Sequence, residues 1–151
     1  MRRAYEKTGK KVVVLIDEFY TQFFIEDLEN GNVDSFLNRM RAFFVGVPND
    51  LNNKTEKDYQ TIFFVLVKLM GQFVRAEEKS AIGRSDIVIE TDDSVYCFEF
   101  KMDENATAED ALKQINSKNY LLQYSAGDKK LVKVGVEFSN KTRTIEDWKI
   151  G

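Results

Sequence analysis

From Asp86 to Lys101 the chain alternates in side-chain character along two short runs that meet at Asp92-Asp93, a pattern with few structural solutions. Alternation with a period of two is that of a β-strand, whose successive side chains leave opposite faces. Aspartate tolerates the left-handed conformation that a tight turn needs, so the two runs read as one hairpin. A turn centred between the aspartates sets Thr91 against Ser94, Glu90 against Val95 and Asp86 against Glu99. Ile87, Ile89, Tyr96, Phe98 and Phe100 then share a strongly apolar face, and Asp86, Val88, Glu90, Cys97, Glu99 and Lys101 share the other. Residues opposed in an antiparallel pair point the same way, with Cβ atoms ~5 Å apart. Two carboxylates and a lysine therefore gather on one surface.

The remaining segments supply elements around this hairpin. Residues 11–16 read as a buried strand ending at Asp17-Glu18. Val33, Phe36, Leu37, Met40, Phe43 and Phe44 fall at helical spacing, with Asn32 as N-cap and Gly46 and Pro48 as the stop. After a polar loop over 49–57, a second helix is expected over 58–70 with Gly71 closing it. Ile62, Phe63, Phe64, Val65, Leu66, Val67 and Leu69 make that helix apolar on nearly every side, which predicts a position deep in the core. Strands are expected over 73–79, 86–91 and 95–101. Thr107 opens a helix running through Ala111, Leu112 and Ile115 to Tyr120 or beyond. A strand over 131–138 follows the loop at 125–128, and 143–150 adds an edge strand. From residue 58 the order is helix, three strands, helix, strand, which predicts an α/β fold with a mixed central sheet and helices on both faces. There is no internal repeat or low-complexity linker. The 151 residues suit one domain that buries roughly two-thirds of its unfolded surface.

Composition narrows the chemistry by exclusion. No histidine is present and Cys97 is the single cysteine, which removes Ser-His and Cys-His pairs, imidazole or thiolate zinc sites, and any intrachain disulfide. Carboxylates, lysine and tyrosine remain, a set that suits hard, oxygen-liking metals such as Mg²⁺. The net charge of −3 means that any affinity for phosphates must come from a local basic patch. No apolar run approaches the ~20 residues that cross a bilayer and no signal-peptide pattern is visible, so a cytoplasmic protein without a membrane partner is expected. Nothing in the sequence sets an oligomeric state.

Like charges directly across a ladder destabilise it, and a divalent cation between Asp86 and Glu99 reverses that sign. Lys101, two residues along the strand, lies on the same face, where it can orient a water or stabilise a transition state. Mixed charge on a solvated strand face is the other reading of these three residues.

Gly83-Arg84-Ser85-Asp86, twelve residues, then Glu99-Phe100-Lys101 resembles the catalytic signature of the PD-(D/E)XK nuclease superfamily. The segments 24–51, 59–71, 83–101, 111–120 and 132–149 resemble the nuclease-like domain that follows an AAA-ATPase-like domain in many bacterial proteins. That resemblance implies a restriction-endonuclease-like core and a metal-dependent nuclease using Mg²⁺ or Mn²⁺ on nucleic acid, DNA by superfamily analogy. It makes Asp86 and Glu99 the metal ligands and Lys101 the catalytic lysine. Gln114 and Tyr120 resemble the supporting Gln-and-Tyr helix motif, and ordinary packing is their alternative. Where the superfamily often has a further acid on its first core helix, this chain has Tyr59-Gln60; Glu56, Glu77 and Glu78 are the nearby acids, and Arg84 and Lys118 are candidates to meet phosphates. A catalytically inactive module that binds nucleic acid or protein is the rival reading, since a fold alone never proves activity.

The run at 12–18 resembles a Walker B strand, with Asp17 and Glu18 in the acidic positions. The chain has no GxxxxGK[ST] loop to cradle phosphates, so ATP hydrolysis is not expected. Residues 1–20 are read as an N-terminal strand segment, a remnant of an AAA-ATPase-like domain, and 21–151 as the nuclease-like domain.

Overall fold

The computed structural model describes residues 2–7, 13–47, 55–70, 74–76 and 86–151, with side chains described for 21–47, 55–70 and 86–151. β1 (Arg2–Lys7) and β2 (Val13–Asp17) form a two-stranded antiparallel sheet. Three helices follow: α1 (Glu18–Glu29), α2 (Val33–Val45) and α3 (Glu56–Leu69). Next come β3 (Val74–Ala76), β4 (Ile87–Glu90), β5 (Ser94–Met102), α4 (Ala108–Lys118), β6 (Lys130–Ser139) and β7 (Thr144–Ile150). The last five strands make one sheet in the order β3-β4-β5-β6-β7. Its pairings are antiparallel except β5 with β6, which run parallel because α4 carries the chain back across the sheet. This is the expected mixed α/β architecture. Pro48, Gly71, Glu77, Glu78, the Gly83-Arg84-Ser85 lead-in and the start of the first expected strand at Lys11 and Val12 lie outside the described residues.

The hairpin has the register that its turn dictates. Ile87 pairs with Phe98, Ile89 with Tyr96 and Glu90 with Val95, while Thr91 and Ser94 close the turn through Thr91 N–H to Ser94 O at 2.8 Å. Both faces of this sheet are covered. Ile87, Ile89, Tyr96, Phe98 and Phe100 enter a large core shared with α1, α2 and α3, where Phe36 meets Phe24, Phe63 and Phe98 with ring centroids 5.8–5.9 Å apart. Val88, Val95 and Cys97 enter a smaller core beneath α4, with Ile115, Tyr120 and Leu121.

Three local readings change. α1 was not anticipated, although Phe24 and Leu28 stand four apart and are both buried; the Tyr96 hydroxyl ties the end of this helix to the sheet by donating to Leu28 O. α3 buries one side only: Ile62, Phe63, Leu66 and Val67 are inside, Phe64 and Val65 are half-buried, and Leu69 is 48% exposed. A single sheet face offers cover to one helix face, so the apolar surplus of α3 remains outside. α4 ends at Lys118, short of Tyr120, because Asn119 adopts the left-handed conformation at φ 51°. The chain then makes a 3₁₀ turn at Leu122–Tyr124.

Candidate active site

β5 carries the centre. Alternation along it sends Phe98, Phe100 and Met102 into the large core and turns Cys97, Glu99 and Lys101 toward α4. Glu99 is only 3% exposed. Its Oε1 accepts a hydrogen bond from Gln114 Nε2 on α4, and the same amide donates to the Tyr120 hydroxyl at 3.1 Å. Its Oε2 is buried without a hydrogen-bond partner.

Asp86 stands one residue before β4, at the end of the ladder. There Oδ2 accepts the Phe100 backbone N–H at 2.9 Å. Oδ1 accepts from Gln60 Nε2 of α3 at 3.3 Å, and the Asp86 carbonyl lies 3.4 Å from that same nitrogen. Three elements thus meet at one end of the sheet: α3 through Gln60, the hairpin through Asp86, Glu99 and Lys101, and α4 through Gln114. Thr55 and Thr107 start the two helices with reciprocal capping boxes to Asp58 and Asp110, which fixes where each helix begins.

The electrostatics follow from burial. Desolvation, followed by the negative charge of Asp86, pushes the Glu99 carboxyl up to about 8, against the opposing pull of Lys101 and the Asp86 N–H. Asp86 is likewise raised, first by desolvation, while the Phe100 N–H lowers it; Glu56 raises it, and Lys101 and Lys57 lower it. Lys101 is thus a cation felt by both carboxylates, and among the described residues it makes no ion pair within 4 Å. A buried carboxylate oxygen with no donor is a costly feature, and a cation removes that cost.

The donor set suits a hard divalent ion. Among the described residues, no group of three or more acidic, histidine or cysteine side chains converges. Asp86 and Glu99 could supply two oxygens, leaving other positions to water and substrate, as Mg²⁺ prefers.

The candidate residues other than Glu77, Glu78 and Arg84, which lie outside the described residues, take these places. Asp86, Glu99, Lys101 and Gln114 come together, with Tyr120 behind Gln114. Glu56, at the start of α3, acts on both carboxylates through its charge. Lys118 is exposed at the end of α4. Gln60 stands where the superfamily often carries an acid, and its amide instead donates to Asp86; its place four residues after Glu56 on one helix is the signal that the sequence offers for it.

A model of the PD-(D/E)XK nuclease superfamily matches residues 54–148, which include α3, the whole five-stranded sheet as far as Trp148, and α4. The chain belongs to this superfamily. PD-(D/E)XK proteins are usually nucleases and generally use divalent metals. The chain is also 35% identical over 109 residues to an "Uncharacterized protein in vnfD 5'region" of Azotobacter chroococcum mcd 1. That alignment covers 69% of this chain and 21% of the relative, so the chain spans about a fifth of that protein's length. No solved structure matches it.

Proposed function

We propose that this PD-(D/E)XK protein is a nuclease that hydrolyses phosphodiester bonds of nucleic acid, DNA in the first place, with Mg²⁺ or Mn²⁺. The observation that carries this reading is the buried Oε2 of Glu99, without a hydrogen-bond partner, beside a second raised carboxylate and the charge of Lys101, which makes no ion pair within 4 Å among the described residues. Asp86 and Glu99 would hold the metal, which when bound lowers the pKa of water and neutralises charge on the scissile phosphate. Gln114 fixes Glu99 from α4, while Gln60 and the Phe100 N–H fix Asp86 from the other side. Lys101 places an ammonium beside both carboxylates, where it can orient the attacking water and meet charge that develops on phosphate oxygen. Water adds to phosphorus and gives up a proton, the bond to the leaving sugar oxygen breaks, and that oxygen takes up a proton in turn.

Residues 21–151 are the unit proposed to do this, with 1–20 as an added segment resembling a Walker B strand. No helix among the described residues is long and apolar enough to cross a membrane, and we place the enzyme in the cytoplasm. The test is incubation with single-stranded, duplex and branched DNA and RNA under Mg²⁺, Mn²⁺ or EDTA. Cleavage that requires metal and is lost in Glu99→Gln is expected. Binding without cleavage under every condition would instead make the chain an inactive nuclease-fold module.

A further inference from the structure

β7 is an outer strand of the five-stranded sheet, and among the described strands it pairs with β6 alone. Gly151 N–H donates to Lys133 O at 2.9 Å and Lys133 N–H to Gly151 O at 3.2 Å, so these two residues form a doubly bonded pair. Bonded and non-bonded pairs alternate along an antiparallel ladder. Val134 with Ile150 and Val136 with Trp148 are therefore non-bonded pairs, and the N–H and C=O of Ile150 and Trp148 point away from β6 toward the open edge. Upstream the edge is taken: Glu146 is the extra residue of a bulge, and Arg41 donates to the carbonyls of Ile145 and Glu146. The Trp148 indole is drawn toward α2, where Nε1 donates to Asp34 at 2.8 Å and Arg41 lies over the ring. What remains is a short open ladder over 147–150, with Asp147, Lys149 and Ile150 exposed.

An open edge is a template for another strand, and here its charges choose which one. Asp147 and Lys149 lie on the α4 face, in the rows of Lys101–Glu137 and Glu99–Gly135 respectively. Their side chains are 55% and 51% exposed, and 3.8 Å apart within the chain. If two copies of β7 pair antiparallel about a two-fold axis, opposed residues share a face, so the axis must pass through a residue. An axis at Asp147 or at Lys149 sets that charge against its own copy, which destabilises the pair. An axis at Trp148 sets Asp147 against Lys149 of the second copy, twice. The same axis makes the two Trp148 residues a bonded pair, which uses their outward N–H and C=O. It also makes each Asp147–Lys149 contact a non-bonded pair, where side chains come closer. Hydrogen-bond phase and charge select the same register.

We infer that β7 is a self-association edge: a second copy of this chain adds its own β7 antiparallel, about a two-fold axis at Trp148, and continues the sheet. The axis stands perpendicular to the sheet, so both candidate centres face the same side. Their β5 strands are five strand spacings apart, roughly 24 Å at ~4.8 Å each. The ladder is short, which makes the dimer weak and reversible.

The experiment is sedimentation equilibrium of the full chain from micromolar to millimolar concentration, where a reversible monomer–dimer equilibrium is expected. Asp147→Lys and Lys149→Asp each set like charges across the axis and should weaken the dimer about tenfold or more. Mixed one to one, the two variants again set an ammonium against a carboxylate at both contacts, and the mixed dimer should form within about threefold of the parent's affinity. Neither variant keeps opposite charges at 147 and 149 within its own chain, so recovery in the mixture reads the contact between chains. High salt should weaken the parent's dimer without any substitution, by screening the same exposed charges. A parent that stays monomeric throughout, as when this edge serves a different protein, would overturn the inference. So would a dimer that salt and both variants leave intact, or a mixture no tighter than its components.

Discussion

A buried carboxylate with one oxygen unpartnered, as at Glu99, makes the stability of the metal-free protein depend on protons. The carboxyl, near 4.5 in the unfolded chain, titrates at about 8 in the folded one. Between those values the folded state keeps a proton that the unfolded chain has released. Its contribution is therefore full below the unfolded value and is lost as pH rises toward 8, by up to about 1.4 kcal/mol per pH unit. Glu99→Gln should remove this slope. Urea denaturation in EDTA at several pH values should show the variant's advantage growing from pH 5 to pH 8, and a constant difference would show that Glu99 is already ionised and hydrated. Asp86→Asn probes the other carboxylate. An asparagine oxygen can still accept from the Phe100 N–H, so the ladder end keeps its bond. Above pH 8, where Glu99 is charged, the variant should be more stable than the parent in EDTA by at most ~1 kcal/mol, the range of a cross-strand charge pair. Mg²⁺ should raise the parent's melting temperature by binding the folded state, and raise the variant's much less. Equal shifts with undiminished cleavage would reduce Asp86 to an ordinary surface aspartate.

At the scale of elements, the position of α4 decides whether Gln114 reaches Glu99. β6 pairs Gly135 with Glu99 in the parallel ladder, so a side chain at 135 would stand beside Glu99 on the face that α4 covers. A Cβ there would lie 2.2 Å from Ala108 O and 2.7 Å from Leu112 N, both backbone atoms of the helix. Glycine is what permits the close approach. Gly135→Ala should push α4 outward, cost about 1–3 kcal/mol by overpacking, and lower cleavage as Gln114 leaves Glu99. Gly127→Ala, whose Cβ would meet Tyr124 O at an ordinary 3.6 Å, should change neither. Denaturation curves and cleavage rates for the two variants provide the comparison, and a harmless Gly135→Ala would show that α4 is not held by this contact.

Across the whole molecule, α1, α2 and α3 share one core with the five-stranded sheet, whereas among the described strands β1 pairs with β2 alone. Deleting residues 1–10 removes β1 and should leave the large core and any cleavage largely intact. Deleting 1–30 also removes Phe24 and Leu28, uncovers Phe36 and should unfold the protein. Thermal melts and cleavage by both truncations test this division. This chain should bind no ATP at micromolar concentration, since its sequence has no GxxxxGK[ST] loop; such binding in a calorimeter would overturn that expectation.

Periodicity and turn chemistry alone determined the hairpin, its register and its two faces, because a two-residue turn leaves a pair of strands one alignment and period-two alternation sorts the side chains. The capped starts of α2 and α4 were legible for the same reason: a cap is a local hydrogen bond between near neighbours in the chain. The burial of α3 was not legible, because composition gives a helix's apolar content and only the sheet decides how much of it is covered. Nor could the sequence assign Gln60 to Asp86 or explain Gly135. Each depends on how a helix lies against a strand more than twenty residues away, and that distance is set by packing of the whole core. The carboxylates could be named from the chain, while the raised protonation of Glu99 and its unpartnered oxygen arise only when α4 closes over the sheet and takes water away.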